Sequence, residues 1–110
     1  MESKEIENCI AACETCVDAC ETCSIENKGK AGMENSVNLC LACKDACNEL
    51  INASKNKAQN LDALCKKCEE ACLACASECA QHTDMNHCKV CADACNECAA
   101  ACKAMLAVAA

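Results

Sequence analysis

The chain has 110 residues, 18 of them cysteine, and it contains no phenylalanine, tyrosine or tryptophan. Valine, isoleucine, leucine and methionine together number 19, too few for an ordinary apolar core in a domain of this length. The formal net charge of −7 excludes the basic surface that nucleic-acid binding requires. We therefore predict one domain, residues 1–110, whose centre is stabilised by something besides hydrophobic burial, and bound metal is the foremost candidate.

The cysteines recur at steps of three and four residues in four segments of the chain. This spacing keeps side chains on one face of an α-helix, so four helices with stripes of thiols are predicted. Short connections between them favour an all-α fold, an antiparallel up-and-down four-helix bundle with a cysteine-lined core. The stripes consist of Cys9, Cys13, Cys16, Cys20, Cys23, then Cys40, Cys43, Cys47, then Cys65, Cys68, Cys72, Cys75, Cys79, and finally Cys88, Cys91, Cys95, Cys98, Cys102.

The first two helices are joined by the longest connection. We expect the first helix from about Ser3 to about Ile25, followed by a loop over residues 27–35 that holds both glycines. The second helix is expected from about residue 35 to about Ser54. It carries three cysteines, after which Leu50 and Ser54 take the stripe positions. A polar stretch, SKNKAQN, connects it to the third helix.

The third and fourth helices are joined by a tight turn. The third helix carries Leu61 and five cysteines, and His82 is expected to continue its stripe. Thr83 and Asp84 form the predicted turn, and the fourth helix carries its stripe from Met85 to Met105. Three large apolar side chains of the helices are predicted to project outward, Leu41, Leu73 and Val90.

The predicted topology makes the two ends of the bundle chemically different. One end, which we call the mouth, collects the four outermost thiols with further soft or imidazole donors, namely Cys23, Cys40, Cys79, Cys88, His82, Met85, His87 and Met33 of the loop. The other, the apolar end, collects Ile6, Leu50, Ile51, Leu61, Leu64, Met105 and Leu106. The thiol column between them is roughly 21 Å deep at the rise of an α-helix.

The column predicts a site for soft metal ions. Thiolates select Cu(I), Zn(II) or iron–sulfur clusters. A monovalent ion is favoured, because one Cu(I) per thiolate gives a neutral core, whereas zinc with four thiolates leaves −2 at each buried site. A zinc buffer and an iron–sulfur electron-transfer protein remain alternatives, although the usual zinc knuckles and ferredoxin spacing are absent. No cysteine is set apart with a base, so the chain is not expected to be an enzyme.

Three residues at the mouth are candidate additional ligands or gates. His82 is either a ligand or gate, or a plain histidine at a helix end. His87 lies one residue off the stripe and is either part of the mouth or a solvated side chain. Met85 is either a thioether ligand or a packed core residue.

The N-terminal segment MESKEIENC is charged and lacks the apolar stretch of a signal peptide. No apolar run approaches the length that spans a bilayer, so no membrane association is expected. We expect a cytoplasmic protein, because thiols stay reduced in that compartment. Reduced thiols in this number favour metal binding over a disulfide framework.

With these stripes in view, the chain resembles the bacterial copper storage proteins, and in particular their cytosolic branch. The resemblance spans essentially the whole chain and is carried by the four cysteine stripes and the pair His87–Cys88. It implies a store of many Cu(I) ions inside the bundle, loading through one open end, and assembly as a homotetramer. A copper chaperone or a small thiol would then supply the copper ions.

Overall fold

The computed structural model describes residues 3–56 and 61–109. These residues form four α-helices, α1 (Ser3–Asn27), α2 (Glu34–Lys55), α3 (Leu61–Cys79) and α4 (Asn86–Ala109), with a short 3-10 helix at Ala80–His82. The predicted all-α fold is confirmed. Most of the SKNKAQN connection and the last residue of the chain lie outside the described part.

Helix boundaries differ from the predicted ones mainly around the mouth. Helix α1 continues for two residues beyond Ile25, and Gly29 and Gly32 then adopt positive φ values of 81° and 83° in the loop. Glycine takes this conformation without steric cost, so both residues allow the chain to reverse before α2. Proline is absent from the sequence, consistent with the length of the helices.

The expectation that His82 continues the α3 stripe is wrong. Helix α3 ends at Cys79, and the chain tightens into the 3-10 turn that contains His82. The two residues that follow, Thr83 and Asp84, form the predicted turn. Because a 3-10 turn winds more tightly than an α-helix, His82 leaves the angular position that the stripe would have given it.

Sulfur contacts between helices establish the up-and-down topology. Along α1, Cys13 approaches Cys98 and Cys23 approaches Cys88, so residue numbers rise on α1 while they fall on α4. In the sulfur contacts between α2 and α3, residue numbers also rise on one helix while they fall on the other, so these two helices are antiparallel as well. Each helix packs on the helices that adjoin it in the chain, and α1 closes the bundle against α4.

The core of the bundle consists of sulfur. All 18 cysteines are free thiols and are at most 1% exposed. Alanines beside the stripes, including Ala46, Ala76 and Ala99, are also buried and let the helices approach closely. Leu41, Leu73 and Val90 are 44%, 49% and 48% exposed, which confirms that they project outward.

The apolar end is closed as predicted. Leu50 and Met105 are each 1% exposed, and Ile51 is buried beside them. The remaining apolar residues of this end, Ile6, Leu61, Leu64 and Leu106, are partly buried against the core. Ser54 is buried here as well, and its Oγ has no hydrogen-bond partner among the described residues. Ordinary hydrophobic burial therefore contributes to the stability of the fold at this end of the bundle.

Candidate metal centre

The thiols form one continuous column in which every level receives side chains from several helices. Near its middle, Cys16 Sγ lies 3.6 Å from Cys43 Sγ and 3.7 Å from Cys95 Sγ. Cys43 Sγ in turn lies 3.5 Å from Cys72 Sγ on α3. All four helices thus meet through sulfur atoms at this level. One small ion can therefore bind thiols from different helices there.

The column is a chain of overlapping four-thiol groups. Within each group, all sulfur atoms lie within 4.8 Å of one another, and every member is buried. Neighbouring groups share residues; Cys16 and Cys43, for example, both occur in two groups. Five such groups are Cys13–Cys68–Cys98–Cys102, Cys16–Cys43–Cys47–Cys72, Cys16–Cys20–Cys43–Cys95, Cys20–Cys40–Cys75–Cys91 and Cys23–Cys40–Cys79–Cys91. A shared thiolate can bridge two ions, so this overlap suits a multinuclear assembly.

The thiols of the column differ in how readily they ionise. Hydrogen bonds from Cys102 and Cys13 lower the pKa of Cys98 to about 6. Cys20 has its pKa raised, because its contacts with Cys16 and Cys40 favour the protonated form. Burial raises the pKa of Cys88, and the hydrogen bond from Asn27 opposes that effect. Thiols whose pKa is raised, such as Cys20 and Cys88, keep their protons at neutral pH, and metal binding must release those protons.

Asn27 covers the mouth end of the column. Its side chain is 1% exposed, and its Nδ2 atom lies 3.4 Å from Cys23 Sγ and 3.5 Å from Cys88 Sγ. The same nitrogen donates to Ser36 Oγ at 3.3 Å. The amide nitrogen thus contacts the outermost thiols of both α1 and α4, so an ion that approached them from this end would have to pass or displace it.

Sequence reasoning missed Asn27 and Ser36, although a signal for both was present. Asn27 follows Cys23 by four residues, and Ser36 precedes Cys40 by four. Both residues therefore continue the stripes of their helices beyond the last cysteine. Extending the stripes to polar residues would have placed both of them at the mouth.

The two histidines lie at the mouth but make different contacts. His87 is partly buried, and its Nε2 donates to Asn27 Oδ1 at 2.7 Å. His82 instead donates from Nε2 to Glu78 Oε2 at 2.9 Å. Asn35 Nδ2 donates to the other oxygen of that carboxylate at 2.9 Å. Only His87 is therefore linked to the thiols through the covering amide.

The Glu78 carboxylate ties together three segments at the mouth. Hydrogen bonds from His82 and Asn35 lower the pKa of Glu78, so the carboxylate is ionised at neutral pH. The two contacts join the end of α3 to the first turn of α2 and to the 3-10 turn. This network supports the rim around the thiols rather than adding a donor to the column.

The methionines at the mouth are packed to different degrees. Met33, in the loop before α2, is 6% exposed and belongs to the core. Met85, which immediately precedes α4, is partly buried and packs against the core. Both lie at the predicted end of the bundle, and neither forms a described hydrogen bond with a thiol.

The column has fewer thiols at the apolar end, because α2 contributes none there. Cys9 Sγ lies 3.9 Å from Cys102 Sγ, and Cys65 donates from Sγ to the backbone oxygen of Cys102 at 3.1 Å. The corresponding turns of α2 carry Leu50 and Ser54 instead. The number of metal ions bound per helical turn is therefore expected to fall toward the apolar end.

The chain matches the family model described as copper storage protein over residues 2–107. This chain belongs to the copper storage protein family. A search of curated protein sequences finds no significant match. Within residues 3–56 and 61–109, no helix has the length and apolar character needed to cross a bilayer.

Solved structures from two bacteria share this fold. Cu(I)-bound Csp3 from Bacillus subtilis aligns with a TM-score of 0.86 and 31% sequence identity, over 93% of this chain and 98% of that chain. The apo form of that protein gives a TM-score of 0.85 and 33% identity, over 91% and 97%. A histidine-to-alanine variant of Ccsp from Streptomyces lividans gives 0.90 and 27% identity, over 97% and 96%. The similarity thus covers the whole bundle.

Proposed function

We propose that this chain stores many Cu(I) ions on the 18 thiolates of its core and does so without enzymatic activity. The overlap of buried four-thiol groups along one column carries this proposal. Because neighbouring groups share cysteines, ions placed at successive levels can share bridging thiolates. The Cu(I)-bound structure of Csp3 supports the choice of ion, since that relative has the same bundle and carries copper.

Charge balance favours a monovalent cargo. The column contains no cationic side chain among the described residues, because every lysine within residues 3–56 and 61–109 is exposed or only partly buried. One Cu(I) per thiolate leaves the buried column neutral, which a low-dielectric interior tolerates. Loading replaces thiol protons by copper ions, so the interior gains no net charge as it fills.

Copper loading is proposed to occur at the mouth, past Asn27 and His87. The apolar end is closed by Leu50 and Met105, whereas at the mouth the outermost thiols Cys23 and Cys88 contact the hydrogen-bonded amide of Asn27. Displacing a hydrogen-bonded side chain costs far less than opening a packed apolar layer. His87, His82 and Met85 are then the donors at or near this opening, and His87 has the most direct link to the thiols.

The proposal includes a cytoplasmic location and a homotetrameric assembly. The cytosol keeps thiols reduced and able to bind Cu(I). The tetramer is implied by the family resemblance, and sedimentation equilibrium of apo and copper-loaded protein tests it directly. The donor of copper in this proposal is a chaperone or a small thiol, because a soft monovalent ion requires a soft carrier.

The decisive experiment is an anaerobic Cu(I) titration of the fully reduced protein against a competing Cu(I) chelator, with thiols counted in parallel. Uptake approaching one ion for each of the 18 thiols supports a store built on bridging thiolates. Saturation at about five ions or fewer contradicts the proposal, since such a number corresponds to separate tetrahedral sites. Brown colour in the protein as purified would also contradict it, because Cu(I) thiolates are colourless and iron–sulfur clusters are not.

A further inference from the structure

Among the five four-thiol groups named above, at most three at a time share no cysteine with one another, and the three described next are one such set. We call them the lower, middle and upper cages, because they follow one another along α1 from Cys13 through Cys16 to Cys20. The lower cage is Cys13–Cys68–Cys98–Cys102, the middle cage Cys16–Cys43–Cys47–Cys72, and the upper cage Cys20–Cys40–Cys75–Cys91. Twelve of the 18 thiols are thus divided among three complete sets of four donors.

Sulfur separations within the cages match the edges of a metal–thiolate tetrahedron. With Zn–S bonds of about 2.3 Å, a tetrahedral ZnS4 site has S···S edges of about 3.8 Å. In the lower cage, Cys13 lies 3.9 Å from Cys68 and 3.5 Å from Cys98. In the upper cage, Cys91 Sγ lies 3.8 Å from both Cys20 and Cys40.

The middle cage has the same dimensions. Its S···S edges are 3.6 Å for Cys16–Cys43, 3.5 Å for Cys43–Cys72 and 4.0 Å for both Cys16–Cys72 and Cys47–Cys72. The thiols therefore need only small rotations to surround one ion, so little of the binding free energy is lost in reorganising them. Burial of all four donors excludes water from each cage.

We propose that the same column also binds divalent d10 cations, Zn(II) or Cd(II), one in each cage and three in total. At each cage one M2+ replaces the protons of four thiols, giving an [M(S-Cys)4]2− centre and four released protons. No oxidation or reduction occurs. This inference is independent of the Cu(I) proposal, because a divalent ion uses separate sets of four thiolates whereas Cu(I) uses shared ones.

Charge makes the three sites unequal. Each filled cage carries −2 in a buried environment without a compensating cation, and the middle cage lies between the other two. The lower and upper cages are separated by roughly 10 Å along α1, and each lies only about 5 Å from the middle one. We therefore expect two ions to bind first and the third to bind at least tenfold more weakly. Cu(I) should displace all three, because it removes the excess negative charge.

Cd(II) alone, titrated anaerobically into the fully reduced protein, tests the inference. Native mass spectrometry counts the bound ions and the lost protons, and ultraviolet thiolate-to-metal charge transfer follows saturation. The expected product contains three Cd(II) and lacks about twelve protons. Saturation at any other number overturns the proposal, as does a third ion bound as tightly as the first two.

Two double variants locate the ions. Cys13→Ser/Cys68→Ser breaks the lower cage, whereas Cys9→Ser/Cys65→Ser removes two thiols of the same column outside all three cages. We expect saturation at two Cd(II) in the first variant and at three in the second, with folding of both checked by circular dichroism. Equal counts in the two variants would overturn the assignment. Cu(I) capacity should fall equally in both, so failure of the cage model and failure of copper storage are distinguishable.

Discussion

The imidazole of His87 donates a hydrogen bond of 2.7 Å to Asn27, whose own amide nitrogen donates to the thiols of Cys23 and Cys88. This arrangement connects a partly exposed imidazole ring to two sulfur atoms at the mouth end of the buried column. A change at His87 can therefore alter access to the thiols without removing any of them.

Replacement of the mouth histidine should change copper kinetics rather than copper capacity. In His87→Ala, Asn27 loses its shortest described hydrogen bond and is held less firmly beside the thiols. We expect Cu(I) loading and release rates to change several-fold, while the number of ions bound at saturation stays the same. Stopped-flow loading and chelator-driven removal measure the two rates.

His82→Ala is the matched control for that experiment. Its imidazole contacts Glu78 rather than the amide above the thiols, so a smaller kinetic effect is expected. Unchanged kinetics in both variants would show that copper does not pass this end of the bundle. A lower copper capacity in His87→Ala would instead identify the imidazole as a ligand.

Removal of cysteines should lower the copper capacity in proportion to the thiols lost. In Cys75→Ser/Cys79→Ser, two donors of α3 disappear from the upper part of the column, where both are fully buried. We expect about two fewer Cu(I) ions at saturation, because the bridged assembly holds about one ion per thiolate. Ala76→Ser, which adds a hydroxyl at a buried site of the same helix, should retain full capacity. If the double variant bound no Cu(I) at all, the prediction would be contradicted, because the remaining levels of the column should still bind copper.

Shortening the Leu50 side chain at the apolar end should destabilise the bundle without affecting its copper capacity. Leu50 is 1% exposed and lies where α2 has no further cysteine. Leu50→Ala should lower the free energy of unfolding of the apo protein by about 2–5 kcal/mol, through lost burial and an unfilled cavity. Chemical denaturation measures that loss, and the Cu(I) titration should be unchanged. A reduced copper number would show that this end contributes to metal binding beyond its thiols.

The apo protein should lose stability in alkaline solution. Burial raises the pKa of Cys88 above the ordinary thiol value of 9.0, so its proton is held more tightly in the folded state than in the unfolded chain. Such a group stabilises the fold fully below pH 9 and loses that contribution as the pH rises through the folded-state pKa. Thermal unfolding of apo protein between pH 9 and 10.5 should show a falling midpoint, because the loss at Cys88 begins only above the ordinary thiol value of 9.0. The copper-loaded protein should be much less sensitive, because its thiols are already deprotonated; equal sensitivity of the two forms would contradict this account.

Much of the architecture follows from the spacing of the cysteines. Steps of three and four residues define one face of each helix, and the shortage of other apolar residues forces that face inward. Alternating helix direction then places Cys23 and Cys88 at one end and Leu50 and Met105 at the other. The outward positions of Leu41, Leu73 and Val90 follow from the same periodicity.

Only the tertiary structure decides which thiols meet and what covers them. Periodicity determines the face of a helix, but the axial offset between helices sets the level at which Cys16 meets Cys43 and Cys95. The 3-10 turn that moves His82 toward Glu78 depends on how α3 must end to reach α4. Asn27 is polar and lies beyond the last cysteine of α1, so its position above the thiols depends on side-chain hydrogen bonds across the bundle rather than on helical spacing alone.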